Sequence, residues 1–247
     1  MNRPRILWTL LLAVLAPVAV VAADDAPALL PVKQSSKEAL QAFNDLIGSW
    51  RGSGEPNGTR EEKQRGFWQE TIAWQWQFKG EDAWLQAAFT KGKYFTSGEL
   101  RYLPDGDRYQ FTLHTPAKTE LQFKGTLKDH RLTLERTDEK TGETQRLVIS
   151  LLHPNRYLYR YDVKPADHAS FATVYQVGAT KEGVSFASAD DGPECIVSGG
   201  HGTITTNYKG KTYYFCCTGC RDAFNDAPEK YIKEYEARKA KEKQSDK

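Results

Sequence analysis

The sequence predicts a mainly β protein, with an up-and-down antiparallel β-barrel followed by a small α+β module rich in cysteine. Apolar and polar residues alternate with a period of two through most of the 247-residue chain, and short turn sequences separate the alternating stretches. All four cysteines lie in the last quarter of the chain, after this alternation has ended. The barrel is therefore expected to fold without disulfides, and the cysteines to serve a local purpose.

The first 23 residues have the order of a secretory signal peptide. Arg3 and Arg5 precede an apolar run, and the small residues Ala22 and Ala23 follow it. The run is shorter than the ~20 residues that a spanning helix needs. We expect residues 1–23 to be removed on export, residues 24–34 to be flexible, and the mature protein to be periplasmic or secreted with no membrane contact.

The charge balance argues against several partners. Lys and Arg total 34 and Asp and Glu total 32, so loss of Arg3 and Arg5 leaves equal numbers. Nucleic acids and anionic membranes select clustered basic surfaces. We therefore expect neither as a partner.

A short amphipathic helix is predicted before the first strand. Ser35 and Glu38 have the spacing of a capping box, and Leu40, Phe43 and Leu46 follow at helical spacing. This helix opens the barrel domain, predicted over residues 35–189.

Strands then follow one another through that domain. The clearest alternation is Ile72, Trp74, Trp76 and Phe78, with the polar or small residues between them facing the other way. Turn sequences at 79–82, 104–107, 128–130 and 140–142 suit hairpins, and no helix is expected to interrupt the run of strands before Cys217. Roughly nine or ten strands in an open sheet would leave two exposed edges, so a closed barrel is predicted.

The run Leu46-Ile47-Gly48-Ser49-Trp50-Arg51-Gly52-Ser53-Gly54 resembles the opening of lipocalin-like and nitrobindin-like barrels. The resemblance implies that Trp50 packs across one end of the barrel, and that the interior is a possible site for a small apolar ligand. It also raises haem binding through a histidine. The four candidates share no distinguishing context, so no haem is expected: His114, His130, His153 and His168.

Four tryptophans cluster on the second and third strands: Trp68, Trp74, Trp76 and Trp84. They either line a ligand cavity or fill the core, and large aromatic side chains usually serve burial. Core packing is the favoured interpretation.

The C-terminal module is predicted over residues 190–240, after a linker at 187–193 and before a charged tail at 241–247. Strands are expected at 203–206 and 212–215 around the turn Lys209-Gly210, and a helix near Gly219. Pro228 is well placed in the first turn of a last helix.

The cysteine spacing favours a soft metal ion. Twenty residues separate Cys195 from Cys216 and three separate Cys216 from Cys220, while Cys217 adds a Cys-x-x-Cys. Thiolates at a strand-to-helix junction, with another brought in by a hairpin, can surround zinc or copper.

The stretch from Cys195 to Tyr231 resembles a YHS domain of the TRASH superfamily, a group associated with heavy-metal handling. The resemblance implies Cys195, Cys216 and Cys220 as ligands. Many relatives have a second cysteine and a methionine after the first ligand, whereas this chain has Ser198 in its run and neither of those residues. A fourth ligand would be Cys217, His201 or water.

Two other uses of the cysteines stay open. They can form two disulfides in three connectivities, which suits an exported module with a small core. Cys217 and Cys220 can instead form a redox pair, but the βαβ setting of such motifs is not visible. No catalytic or phosphate-binding motif is found, so we expect a non-enzymatic metal-binding protein. The alternative is a lipocalin-like carrier with a disulfide-bonded module.

Overall fold

Ten antiparallel strands close into an up-and-down barrel in the computed structural model, which describes residues 34–183 and 192–245. Each strand pairs with its neighbours along the chain, and the first closes the barrel against the tenth. The predicted fold class is confirmed. The strands are β1 (Gly48–Pro56), β2 (Trp68–Lys79), β3 (Asp82–Thr90), β4 (Ser97–Leu103), β5 (Arg108–His114), β6 (Glu120–Lys128), β7 (Arg131–Thr137), β8 (Thr144–His153), β9 (Arg156–Lys164) and β10 (Ala172–Lys181).

Side chains fill the barrel interior. On β2, Ile72, Trp74 and Trp76 alternate inward and are buried, as the period-two pattern predicts. The cavity that remains between aromatic and aliphatic side chains measures about 10 Å³, which is space for roughly one water molecule. The inner tryptophans therefore serve core packing.

One end of the barrel is covered by the predicted N-terminal helix. It runs from Ser36 to Leu40 as α1 and continues as a 3-10 helix over Gln41–Leu46. The Ser35 hydroxyl accepts from the Glu38 backbone N–H, and the Glu38 carboxylate accepts from the Ser35 N–H, so the capping box is confirmed. Trp50 is buried beside this segment and donates its indole N–H to the Leu46 carbonyl at 2.7 Å.

A second helix, α2 (Arg60–Gly66), lies between β1 and β2, so the expectation that no helix interrupts the strands before Cys217 is wrong. Thr59 and Glu62 form a capping box at its start, and none of its residues is buried. A helix without an apolar face has no hydrophobic periodicity, so its capping box was the signal in the sequence.

The C-terminal module begins with a loop at 192–203 that contains Cys195, called here the Cys195 loop. A hairpin of β11 (Ile204–Tyr208) and β12 (Lys211–Phe215) follows, and its turn residues Lys209 and Gly210 both have positive φ, as a type I′ turn requires. Helices α3 (Thr218–Asp226) and α4 (Pro228–Ser245) complete the chain, and α4 extends through most of the charged tail.

The barrel and the C-terminal module belong to one compact unit, residues 33–247. The expected signal peptide, nearly all of the flexible segment and most of the linker lie outside the described residues. Within the described ranges, no helix combines the length and the apolar character needed to cross a membrane.

Candidate metal centre

Three of the four cysteine sulfurs converge in the C-terminal module. The Sγ atoms of Cys195, Cys216 and Cys220 all lie within 4.8 Å of one another, and those of Cys216 and Cys220 are 3.5 Å apart. Two sulfurs bound to one ion at ~2.3 Å are at most ~4.6 Å apart. The three donor atoms therefore stand at nearly the separation that a shared ion requires.

The junction between β12 and α3 supplies two of these sulfurs. Cys216 follows the last residue of β12, Cys217 is the N-cap of α3, and Cys220 lies in the first turn of that helix. Free N–H groups and the helix dipole make a helix N-terminus favourable for thiolates. The junction thus presents Cys216 and Cys220 in an electropositive setting.

The first turn of α3 rests directly on barrel strand β2. A Cβ on Gly219 would lie 1.8 Å from the Trp76 carbonyl oxygen, so only glycine permits this approach. Next to it, the Trp76 backbone N–H donates to Cys217 Sγ at 3.4 Å. Trp76 lies beyond the end of the β1–β2 pairing, in which Gly48 is opposite Trp74. The barrel therefore fixes where α3 begins.

A tight turn in the Cys195 loop supplies the third sulfur. The Gly199 N–H donates to the Cys195 carbonyl at 2.9 Å, and Gly199 has a φ of +79°. The Ile196 N–H donates to the Tyr214 carbonyl at 3.0 Å, which ties the loop to β12. Cys195 is fully buried beside Cys216 and Cys220 as a result.

Two other parts of the chain hold this loop from outside the hairpin. The side-chain amides of Gln41 and Asn44 donate to the Ser198 carbonyl at 2.9 and 3.0 Å. Near the C-terminus, Arg238 of α4 forms an ion pair with the Glu194 carboxylate at 2.8 Å. It also donates a hydrogen bond to the Cys195 carbonyl. The loop is therefore positioned by the barrel's N-terminal segment and by α4.

Ser198 itself faces the sulfurs. Its side chain is completely buried, and its Oγ lies 3.3 Å from Cys216 Sγ. The same oxygen accepts weakly from the Gly200 N–H at 3.4 Å. A polar hydroxyl thus borders the three-sulfur group.

The remaining two candidate ligands lie outside that group. Cys217 Sγ is 3.9 Å from Cys216 Sγ but is directed towards the Trp76 N–H. His201 is exposed, and its imidazole lies against Gly192. Among the described residues, the structure brings together only the three cysteines that the YHS resemblance implies.

The four sulfurs share their protons unequally. Hydrogen bonds from Cys216 and Cys220 lower the pKa of the Cys195 thiol, and hydrogen bonds from the same two residues lower the pKa of the Cys217 thiol. The pKa of Cys216 is raised because it donates to Cys195 and Cys217, and burial raises the pKa of Cys220. Thiolate is thereby favoured at Cys195, inside the three-sulfur group, and at Cys217, beside it.

All four cysteines are free in the structure. The donor set fits a soft ion, because three sulfurs converge and the bordering oxygen belongs to a neutral hydroxyl. Sequence reasoning identified the sulfurs but missed Gln41, Asn44 and Gly219, which position them. The sequence signal for this contact was Gly219, between Cys217 and Cys220 at the predicted helix start, because a glycine there is typical of a close approach by another backbone.

Comparison with protein families identifies a YHS domain at residues 203–235. The matched range contains Cys216, Cys217 and Cys220 and begins after Cys195 and His201. No curated protein matches the chain significantly.

Proposed function

We propose that this chain, with its YHS domain at residues 203–235, is an exported, non-enzymatic protein that binds a soft metal ion, copper or zinc, in metal handling. The observation that carries the proposal is the convergence of Cys195, Cys216 and Cys220 within 4.8 Å. Export rests on the charged, apolar and small-residue order of residues 1–23.

The chemistry that these residues provide is capture and retention of the ion. Cys195 and Cys220 are fully buried and Cys216 is half-buried, so an ion enters from the Cys216 side. Thiolates must be deprotonated to bind, so uptake releases protons and weakens at acid pH. Burial then limits the access of competing ligands.

The carrier alternative receives less support. A lipocalin-like carrier needs an interior that holds a small molecule, and ligand pockets usually measure ~300–1,000 Å³. The cavity within this barrel measures about 10 Å³. We therefore assign the barrel the role of a frame for the metal centre.

The test is metal analysis combined with thiol counting on the full mature chain, purified from an oxidising compartment. We expect one Cu or Zn per chain, and four free thiols once the metal is removed. Cys220→Ser should abolish stoichiometric binding, because it removes a central sulfur. Cys217→Ser is the matched control and should keep the metal, since its sulfur faces Trp76.

Two disulfides with no stoichiometric metal would contradict the proposal. Full metal content in Cys220→Ser would show instead that the ligand assignment is wrong.

A further inference from the structure

Ser198 lies in the Cys195 loop with its hydroxyl beside the three-sulfur group. It follows Cys195 by three residues, the spacing at which one turn supplies two ligands to a zinc ion. The turn between them is closed by the Gly199 N–H on the Cys195 carbonyl. Both side chains therefore point to the same side, towards Cys216 and Cys220.

The contacts of Ser198 show how firmly this position is held. Its hydroxyl is completely buried at 3.3 Å from Cys216 Sγ. Its carbonyl accepts from two amides, those of Gln41 and Asn44, so the backbone has little freedom to withdraw the side chain. The hydroxyl is therefore held beside the three-sulfur group.

A hydroxyl differs from a thiolate in the two properties that decide metal preference. It is neutral and hard, whereas the three cysteine sulfurs are soft and ionisable. Structural zinc sites are almost always tetrahedral with four ligands, and cysteine-rich ones use three or four thiolates. Cu(I) is selected by soft thiolates and does not depend on a fourth ligand.

We propose that Ser198 sets the metal selectivity of this centre, by leaving a three-thiolate site that favours Cu(I) over Zn²⁺. The inference rests on the proposed function and deepens it, because it names the ion and the residue that discriminates. Cys217 lies outside the group of sulfurs that are all within 4.8 Å of one another, and its sulfur accepts from the Trp76 N–H.

The experiment is a competition titration of the full mature chain, reduced and anaerobic, with Zn²⁺ and with Cu(I) against chelators of known affinity. Ser198→Cys should raise the affinity for Zn²⁺ by about 100-fold or more, because a gained ligand should exceed the 10–100-fold effect of outer-shell groups. The affinity for Cu(I) should change by less than about tenfold, which is the lower bound of that range.

Ser198→Ala is the second variant and separates a ligand-position role from a purely structural one. It removes the hydroxyl that accepts from Gly200 but should keep Cu(I) binding close to that of the wild type. X-ray absorption should count three sulfurs around copper in the wild type and four around zinc in Ser198→Cys. Circular dichroism of each variant checks that the barrel is folded.

Equal increases in both affinities in Ser198→Cys would overturn the inference, as would four sulfurs around zinc in the wild type. Loss of Cu(I) binding in folded Ser198→Ala would also overturn it. If the wild type binds neither ion and Cys220→Ser changes nothing, the proposed function itself fails. The failure of the selectivity inference alone would leave wild-type binding intact.

Discussion

The barrel interior and the cysteine cluster are both buried, but different atoms line them. Inside the barrel, apolar side chains line a cavity of about 10 Å³, and the buried carboxylate of Glu70 accepts from the Tyr159 hydroxyl at 2.6 Å and the Trp68 indole at 3.0 Å. In the cluster, the sulfurs have mainly one another as partners. A satisfied interior stabilises the fold, whereas a group of mutually bonded thiols has lone pairs to offer to a ligand.

The two regions meet at β2, and this contact makes the comparison testable. Substitutions at the contact should change both stability and metal affinity, whereas those deep in the barrel should change stability alone.

The largest effect is expected at Gly219. In Gly219→Ala the new methyl would meet the Trp76 carbonyl oxygen at 1.8 Å, so α3 must move away from β2. We expect a loss of about 3 kcal/mol in the free energy of unfolding. Metal affinity should fall at least about tenfold, which is the smallest loss typical when groups that orient metal ligands are changed. Denaturant titration and chelator competition measure the two quantities.

Gly178→Ala is the control for this change. A Cβ at Gly178 would have no atom within 4 Å, so its free energy of unfolding should change by less than about 0.5 kcal/mol. Unchanged metal affinity in Gly219→Ala would mean that the position of α3 on β2 does not support the centre.

An intermediate effect is expected at Asn44, which joins the two regions. Its Oδ1 accepts from the Trp76 indole at 3.1 Å, and its Nδ2 donates to the Ser198 carbonyl. Asn44→Ala leaves the indole N–H without this acceptor. We therefore expect the free energy of unfolding to fall by about 2 kcal/mol and metal binding to weaken. Thermal denaturation and metal competition provide the readouts.

Tyr159→Phe is matched to this variant within the barrel. It removes one of the two donors to Glu70 and should cost about 1–2 kcal/mol, with metal affinity unchanged. Should Tyr159→Phe weaken metal binding as much as Asn44→Ala does, the two regions would not be separable in this way.

The smallest effect is expected at the cap of α1. Ser35→Ala should cost about 1 kcal/mol and slightly loosen the segment that carries Gln41 and Asn44. Hydrogen bonds from the Ser35 backbone N–H and from the Ser35 hydroxyl lower the pKa of the Glu38 carboxyl below its ordinary 4.5, and the substitution removes the second of them. The contribution of Glu38 is thus present above that value and is lost as the pH falls through the lowered pKa, so the difference from the wild type should shrink in acid.

Thr59→Ala removes the equivalent cap from α2, which buries none of its residues. It should leave metal affinity unchanged and change stability less than Ser35→Ala does. Thermal denaturation of both variants at neutral and acid pH makes the comparison, and equal effects on metal binding would contradict it.

Most of the barrel was predictable because its residues alternate between a packed interior and solvent. Ile72, Trp74 and Trp76 carry that pattern strongly. Strand β4 carries the pattern more weakly, because its inward-facing Gly98 has no side chain and lies against Phe111. Helix α2 was not predicted, because it buries none of its residues and so has no apolar face.

The convergence of Cys195, Cys216 and Cys220 was predictable in part, because cysteine spacing reflects local geometry. The contacts that position the cysteines were not predictable, because they join residues far apart in the sequence. Asn44 contacts Ser198, and Trp76 contacts Cys217. Their contacts depend on how the module lies against β2, and no local pattern encodes that arrangement. In the sequence, Ser198 was notable only because many YHS relatives have a second cysteine in this run. The structure adds that its hydroxyl is buried beside the sulfurs.

The contact between Trp76 and Cys217 has a consequence for solubility. Strand β2 continues to Lys79, whereas its pairing with β1 ends at Trp74, so the backbone beyond that point lacks a neighbouring strand on the β1 side. There the Trp76 N–H donates to a cysteine sulfur, and the start of α3 shields the adjacent carbonyl. A chain whose module unfolds after metal loss would uncover this backbone as a template for strand addition. Under the proposed function, metal starvation would then promote self-association of the protein.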